Sequence, residues 1–138
     1  MDKKILVIDG QGGQLGSQIV KALIAKFPGI TVTAIGTNAT ATSAMLKAGA
    51  ASGATGENPV IVACRKADII IGPIGIVIAD ALMGEVTPAM AVAVGQADAA
   101  RILIPMNKCE NLVAGVSNLS TSVLIQDAVA KVGQFLDQ

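Results

Sequence analysis

The stretch from Asp9 to Gly16, with the sequence DGQGGQLG, holds the residue types best suited to binding chemistry. Three of its glycines follow a G-x-x-G-x-x-G spacing, and Gly12 adds a fourth. Glycine at such a turn lets the chain leave a strand sharply and brings a ligand against bare backbone, and the N–H groups around Gly13 to Gly16 would face that ligand with the positive end of a helix dipole. We therefore expect a phosphate or another anion here; a turn that needs glycine only for packing is the alternative. The expected binding residues of this loop are Asp9, Gly10, Gln11, Gly12, Gly13, Gln14, Leu15 and Gly16.

Acidic and polar residues beside the loop widen the candidate site. Asp9 is placed either to act as a base or magnesium ligand or to cap the glycine turn. Thr37 and Asn38, after the second expected strand, are candidates for hydrogen bonds to a sugar. A dinucleotide fold usually has Asp or Glu at that place, whereas no acid occurs between Asp9 and Glu57.

A second glycine turn, formed by Gly72, Pro73, Ile74 and Gly75, follows another apolar run. Ligands of doubly wound sheets bind outside the carboxyl ends of the strands, so Gly72, Pro73 and Gly75 are expected to flank the first loop; packing explains this turn equally well. The roles of Glu85, Lys108 and Cys109 stay open. Lys108 could approach a phosphate or simply be a solvated loop lysine.

Several kinds of catalytic site are excluded by residues that the chain lacks. It has no histidine, which rules out Ser-His-Asp triads, Cys-His pairs and histidine metal sites. The Gly-Lys dipeptide of a Walker phosphate loop is also absent.

Composition limits the partners. Ten basic residues balance ten acidic ones, and aromatic residues make up 1% of the chain, so we expect neither nucleic acid nor a membrane as a partner. Only 14% of the 138 residues are charged while 52% are hydrophobic, and a subunit interface is the expected place for the excess apolar surface. Two cysteines and no signal-peptide pattern predict a cytoplasmic protein.

The elements that would position these residues alternate between strands and helices. Continuous apolar runs predict buried parallel strands, and apolar residues at helical spacing predict the helices between them. Predicted strands are KILVID, ITVTAIG, DIIIGP and RILIP, with NLVAGVS as an antiparallel edge strand unless it bends away. Predicted helices cover Ile19 to Phe27, an Ala-rich stretch ending near Gly49, a stretch capped by Asn58 and ending near Lys66, IGIVIADALMG, TPAMAVAVGQ and Val123 to Leu136.

This order predicts one small doubly wound α/β domain over residues 1–138, Rossmann-like and in three layers. Its sheet is expected to be mostly parallel, with about five strands.

The phrases VIDGQGGQLG, GTNATATSAMLKAGA, GATGEN, ADIIIGPIGIVIADALMGE, TPAMA and ILIPMNKC together span nearly the whole chain. They resemble a bacterial family of short Rossmann-like proteins, domain of unknown function three-eight-four-two. The resemblance implies the fold and brings no activity with it.

Two further resemblances concern the ligand. The loop is similar to the glycine turn of extended short-chain dehydrogenases, whose catalytic Tyr has no counterpart because this chain contains no tyrosine. The series IDGQGGQLGSQIV, AIGTNATATSAML and GATGENPVIVACRKAD resembles the nucleotide-binding half of tubulin-like cell-division GTPases, whose triphosphate loop is replaced here by Gly72-Pro73-Ile74-Gly75.

These observations favour a homo-oligomer that binds a phosphate-bearing small molecule, a nucleotide or dinucleotide such as NAD(P) or a purine nucleotide. One alternative is a reductase or transferase that uses such a cofactor, with Asp9, Lys108 or a partner subunit supplying acid-base chemistry. The other is an oligomeric assembly protein whose glycine loop is only structural.

Overall fold

The computed structural model describes residues 2–106 and 111–137. Strands and helices alternate through most of the chain. The strands are β1 (Ile5–Asp9), β2 (Val32–Gly36), β3 (Ser52–Thr55), β4 (Ile69–Pro73) and β5 (Ala100–Ile104). The helices are α1 (Gln14–Lys26), α2 (Ala39–Lys47), α3 (Glu57–Lys66), α4 (Pro88–Gln96) and α5 (Thr121–Leu136), with a short 3-10 helix at Ile74–Val77.

The five strands form one sheet in the order β3-β2-β1-β4-β5, and every pair is parallel. The chain moves outward from β1 to β3 and then crosses back to place β4 beside β1. This reversal puts a crevice at the carboxyl ends of β1 and β4, where open α/β sheets bind their ligands.

Helices cover both faces of the sheet, which gives three layers. Ile5 and Val7 of β1 belong to the apolar core under α1 and α5, whereas Leu6 and Ile8 face the core under α3 and α4. Burial on both faces explains why the strands are apolar without alternation.

The prediction of an antiparallel edge strand in NLVAGVS is wrong. No strand is formed in the described residues after β5, and Leu112 in this stretch is 94% exposed. The sheet still has five strands, because β3, with the sequence SGAT, pairs at its edge. The apolar pattern did not predict β3 because this edge strand is mostly exposed.

Two helix predictions also need correction. The stretch IGIVIADALMG forms only the 3-10 helix and then a series of turns, because Asp80, Leu82 and Met83 adopt positive φ angles that no α-helix contains. Helix α3 is capped by the Gly56 backbone and not by Asn58, which lies inside its first turn with Pro59.

The remaining helix predictions agree with the structure. Thr87 and Ser120 cap α4 and α5, each accepting a hydrogen bond from a backbone N–H in the first turn. Within the described ranges, no helix has the length and apolar character needed to span a membrane.

Candidate functional site

The glycine loop joins β1 to α1 and is folded tightly on itself. The Gly13 N–H donates to the Gly10 carbonyl at 2.9 Å, and Gly13 caps α1 with a φ of 73°. A Cβ at Gly13 would lie 2.7 Å from the Ala41 Cα in α2, so both the left-handed backbone and the close approach require glycine. Gly16 is packed equally closely, against Met45 and the Asp9 side chain.

Asp9 braces this loop from inside. Its side chain is 3% exposed, Oδ1 accepts the Gly10 N–H at 2.8 Å, and Oδ2 accepts the Gly16 N–H at 2.6 Å. Burial raises the pKa of Asp9 above its usual value, against the lowering effect of the two N–H bonds, and the nearby charge of Glu85 raises it further. Because both carboxylate oxygens are engaged, the geometry favours the turn-capping role of Asp9.

Glu85 contributes a second carboxylate that sequence reasoning did not assign to the site. Its Oε1 accepts three hydrogen bonds: from the Gln11 N–H at 2.8 Å, the Thr37 hydroxyl at 2.6 Å and the Asn38 side-chain amide at 2.8 Å. Partial burial raises the pKa of Glu85, but these three hydrogen bonds outweigh it and lower the pKa overall. Glu85 is therefore ionised at neutral pH and joins the first loop to the end of β2.

The connection between β4 and α4 delivers Glu85 to this place. Asp80, Leu82, Met83 and Gly84 all have positive φ angles, and the Asp80 N–H donates to the Val86 carbonyl at 2.7 Å. Leu82 is buried, while Met83 is 94% exposed. The sequence indicated that this stretch is apolar, but it did not predict the turns that the stretch forms.

The predicted sugar-binding residues lie at the end of β2 as expected, but both have protein partners. Thr37 donates to Glu85. Asn38 caps α2 by accepting the Ala41 N–H at 2.9 Å, and its amide also donates to the Gln11 carbonyl. These two residues therefore hold the first loop, α2 and Glu85 together.

The second glycine turn begins at the end of β4, which lies beside β1. Gly72 and Pro73 are the last residues of β4, and they are buried with Gly75. A Cβ at Gly72 would collide with the Ile8 carbonyl oxygen, so this glycine serves the contact between β4 and β1. Gly72, Pro73 and Gly75 do not line the cleft beside the first loop.

That cleft has a volume of about 370 Å³ and lies beside the start of α1. It is lined by residues 9–15 with Gln18, Met106 and Thr121. A Cβ at Gly12 would meet nothing within 4 Å, so the backbone is open there. By contrast, Gly10 is covered by Thr37, Leu82 and Glu85.

Backbone donors remain open in this cleft. Among the described residues, the N–H groups of Gly12, Gln14 and Leu15 have no hydrogen-bond acceptor, whereas those of Gly10, Gln11, Gly13 and Gly16 are bonded. The first N–H groups of a helix have no partner within the helix and carry its positive dipole end. The open donors are thus those of Gly12, Gln14 and Leu15, whereas Gly13 and Gly16 of the predicted set Gly13 to Gly16 are bonded within the protein.

Two residues whose roles the sequence left open are not among the described residues. Lys108 and Cys109 fall in residues 107–110, outside the described ranges. Across the described part of the chain, no group of three or more acidic or cysteine side chains is arranged to hold a metal ion.

The parallel order β3-β2-β1-β4-β5, with a glycine loop between β1 and α1, defines a Rossmann-like α/β protein. The chain belongs to the family described as Domain of unknown function (DUF3842), whose profile matches residues 4–137.

One similar solved structure is the dodecameric FMN-dependent UbiX-like decarboxylase from Escherichia coli O157:H7, with 13% sequence identity and a TM-score of 0.45. The alignment covers 97% of this chain and 94% of that one. No curated protein matches the chain.

Proposed function

We propose that this protein binds a phosphate-bearing small molecule, a nucleotide or dinucleotide, in the cleft beside the glycine loop. The observation that carries the proposal is the set of open N–H groups at Gly12, Gln14 and Leu15, at the amino end of α1. Such donors at a helix amino end, after a parallel strand, suit a phosphate group.

Larger hollows occur elsewhere among the described residues, but their chemistry suits a phosphate less well than that of the smaller cleft. One hollow of about 510 Å³ lies at the amino ends of the strands, near Lys4 and Lys66, and another of about 540 Å³ lies between α3 and α4. Ligands of open parallel sheets bind at the opposite, carboxyl edge, which is where the open N–H groups lie.

Substitutions at Gly12 and Gly13 would affect the fold differently. A side chain at Gly13 would collide with α2, so its loss would damage the fold as well as the site. Gly12 has open space and no positive φ, so Gly12→Asp places a charge at the open donors without an internal collision. Gly95, at an exposed and open position in α4, provides the matched control Gly95→Asp.

The test is a thermal-shift and calorimetric screen against nicotinamide, flavin, adenine and guanine nucleotides. A ligand at a hundred times its dissociation constant should stabilise the protein by about 2.7 kcal/mol. We expect Gly12→Asp to remove this shift through repulsion and steric block, and Gly95→Asp to retain it. The absence of any shift at millimolar ligand, or a shift that Gly12→Asp leaves intact, would contradict the proposal.

A further inference from the structure

Glu85 lies where a dinucleotide-binding fold normally has an acid, although it comes from another part of the chain. That acid usually ends the second strand and accepts hydrogen bonds from the ribose hydroxyls. Here β2 ends in Gly36, followed by Thr37 and Asn38. We infer that Glu85, brought to Thr37 and Asn38 by the β4–α4 connection, receives the ribose of an adenosine dinucleotide whose 2′-hydroxyl is unphosphorylated. This inference rests on the proposed function and specifies its ligand.

The hydrogen bonds of Glu85 leave one of its oxygens for a ligand. Oε1 is held by the donors on Gln11, Thr37 and Asn38. Oε2 accepts no hydrogen bond from the residues that the structure describes, and the side chain is partly exposed. Because Oε1 is held by three donors, Oε2 of the ionised carboxylate has a fixed position. It can accept hydrogen bonds from hydroxyl groups of a ligand.

The ribose position and the phosphate position are adjacent along the loop. Gln11, which donates its N–H to Glu85, directly precedes Gly12, whose N–H is open to the cleft. Glu85 does not itself line the cleft, so the ribose of a ligand whose pyrophosphate lies on the donors of Gly12, Gln14 and Leu15 would extend past Gln11 to reach it.

The charges around the loop limit which phosphates fit. Asp9 and Glu85 lie beside it. A terminal phosphate monoester carries close to two negative charges at neutral pH, whereas each phosphate of a dinucleotide is a diester with one. This charge pattern favours a dinucleotide, and the Glu85 carboxylate would repel a 2′-phosphate.

A purely structural role for Glu85 makes a different prediction. In that role it only ties the β4–α4 connection to the first loop, and its removal would change stability without changing ligand preference. Glu85→Gln separates the two roles because its amide oxygen can still accept from Gln11, Thr37 and Asn38 while the charge and the second acceptor are lost. Glu57→Gln, at the first residue of α3, is the matched control, since Glu57 accepts a hydrogen bond only from Thr87 among the described contacts.

The experiment measures dissociation constants of NAD+ and NADP+ by calorimetry for the unmodified protein and both variants. We expect the unmodified protein and Glu57→Gln to prefer NAD+ by at least tenfold, and Glu85→Gln to reduce that preference to threefold or less. Independently of any variant, 2′-deoxy-NAD+ should bind the unmodified protein at least tenfold more weakly than NAD+.

Other outcomes separate the two proposals. Equal affinity for NAD+ and NADP+, or a preference that Glu85→Gln leaves unchanged, would overturn the inference about Glu85. If another nucleotide binds and Gly12→Asp blocks it while NAD+ does not bind, the Glu85 inference fails and the proposed function stands. If no nucleotide binds, both fail.

Discussion

Two carboxylates beside one loop have pKa values shifted in opposite directions, and the cause lies in their surroundings. Asp9 is buried, and the cost of burying its charge outweighs its two N–H bonds. Glu85 is less buried and has three donors on one oxygen. Asp9 therefore contributes to the shape of the loop, while Glu85 is the carboxylate available as a stable negative charge.

The lowered pKa of Glu85 predicts a specific dependence of stability on pH. The folded carboxyl binds fewer protons than the unfolded one near and below its ordinary value of 4.5, so its contribution is present above that pH and is lost as the pH falls. The unfolding free energy of the unmodified protein, minus that of Glu85→Gln, should decrease as the pH falls from 6 to about 3. Urea unfolding at several pH values measures this difference.

Subtracting the variant removes most of the contribution of Asp9, which acts with the opposite sign and is affected by Glu85 less than by its own burial. Its raised pKa makes the folded state more favourable as the pH falls through the region above 3.8, which partly masks the effect of Glu85 in the unmodified protein alone. A difference that stays constant or increases toward acid pH would show that the three donors do not stabilise the ionised form of Glu85.

At the scale of elements, the β4–α4 connection combines an unfavourable backbone with a well-packed interior. Leu82 and Val86 are buried against the sheet, and this burial compensates for the left-handed residues around them. The packing of this connection thus offsets the cost of its left-handed backbone and keeps Glu85 against the ends of β1 and β2.

Met83 offers a test of that strain. Its side chain is 94% exposed and its φ is 58°, so it bears the cost of a left-handed backbone without burying apolar surface. Met83→Gly should raise the free energy of unfolding by about 0.5 to 1 kcal/mol, because relief of the left-handed penalty exceeds the added entropy of the unfolded chain.

Met83→Ala provides the control, since alanine removes the same side chain but keeps the penalty. The two variants are compared by thermal and urea unfolding. Equal stability of both would mean that this backbone is not strained in solution.

At the scale of the whole molecule, large apolar side chains remain on the surface of a chain with few charges. The most exposed are Met83 and Leu112, each at 94%, followed by Val92, Val123, Leu119, Leu46 and Val116. Leu112, Val116, Leu119 and Val123 follow one another before and at the start of α5. Such a concentration of apolar residues is typical of a surface that another chain covers.

We accordingly expect the protein to assemble with copies of itself through this segment. Analytical ultracentrifugation should show an oligomer for the unmodified protein, and Leu112→Glu together with Leu119→Glu should shift it toward the monomer by placing charges in the interface. Circular dichroism checks that both proteins are folded. A monomeric unmodified protein, or an oligomer that the two charges do not affect, would contradict this expectation.

The sequence by itself determined the class of fold and the position of the glycine loop. Continuous apolar strands, helical spacing in α1 and α5, and the caps at Thr87 and Ser120 are local signals, because each depends on neighbouring residues. The short strand β3 was missed because an exposed edge strand needs no apolar pattern, and the β4–α4 connection was missed because its apolar spacing fits a helix as well as a turn.

Only the tertiary structure decided how the candidate site is arranged. Glu85 meets Gln11 across 74 positions of sequence and Thr37 across 48, and such pairings follow from the strand order and not from any local pattern. The same contacts determine which loop donors are used and which remain open at Gly12, Gln14 and Leu15. Local residue types therefore predict where the glycine loop forms, while the long-range packing of the sheet determines which of its N–H groups stay open.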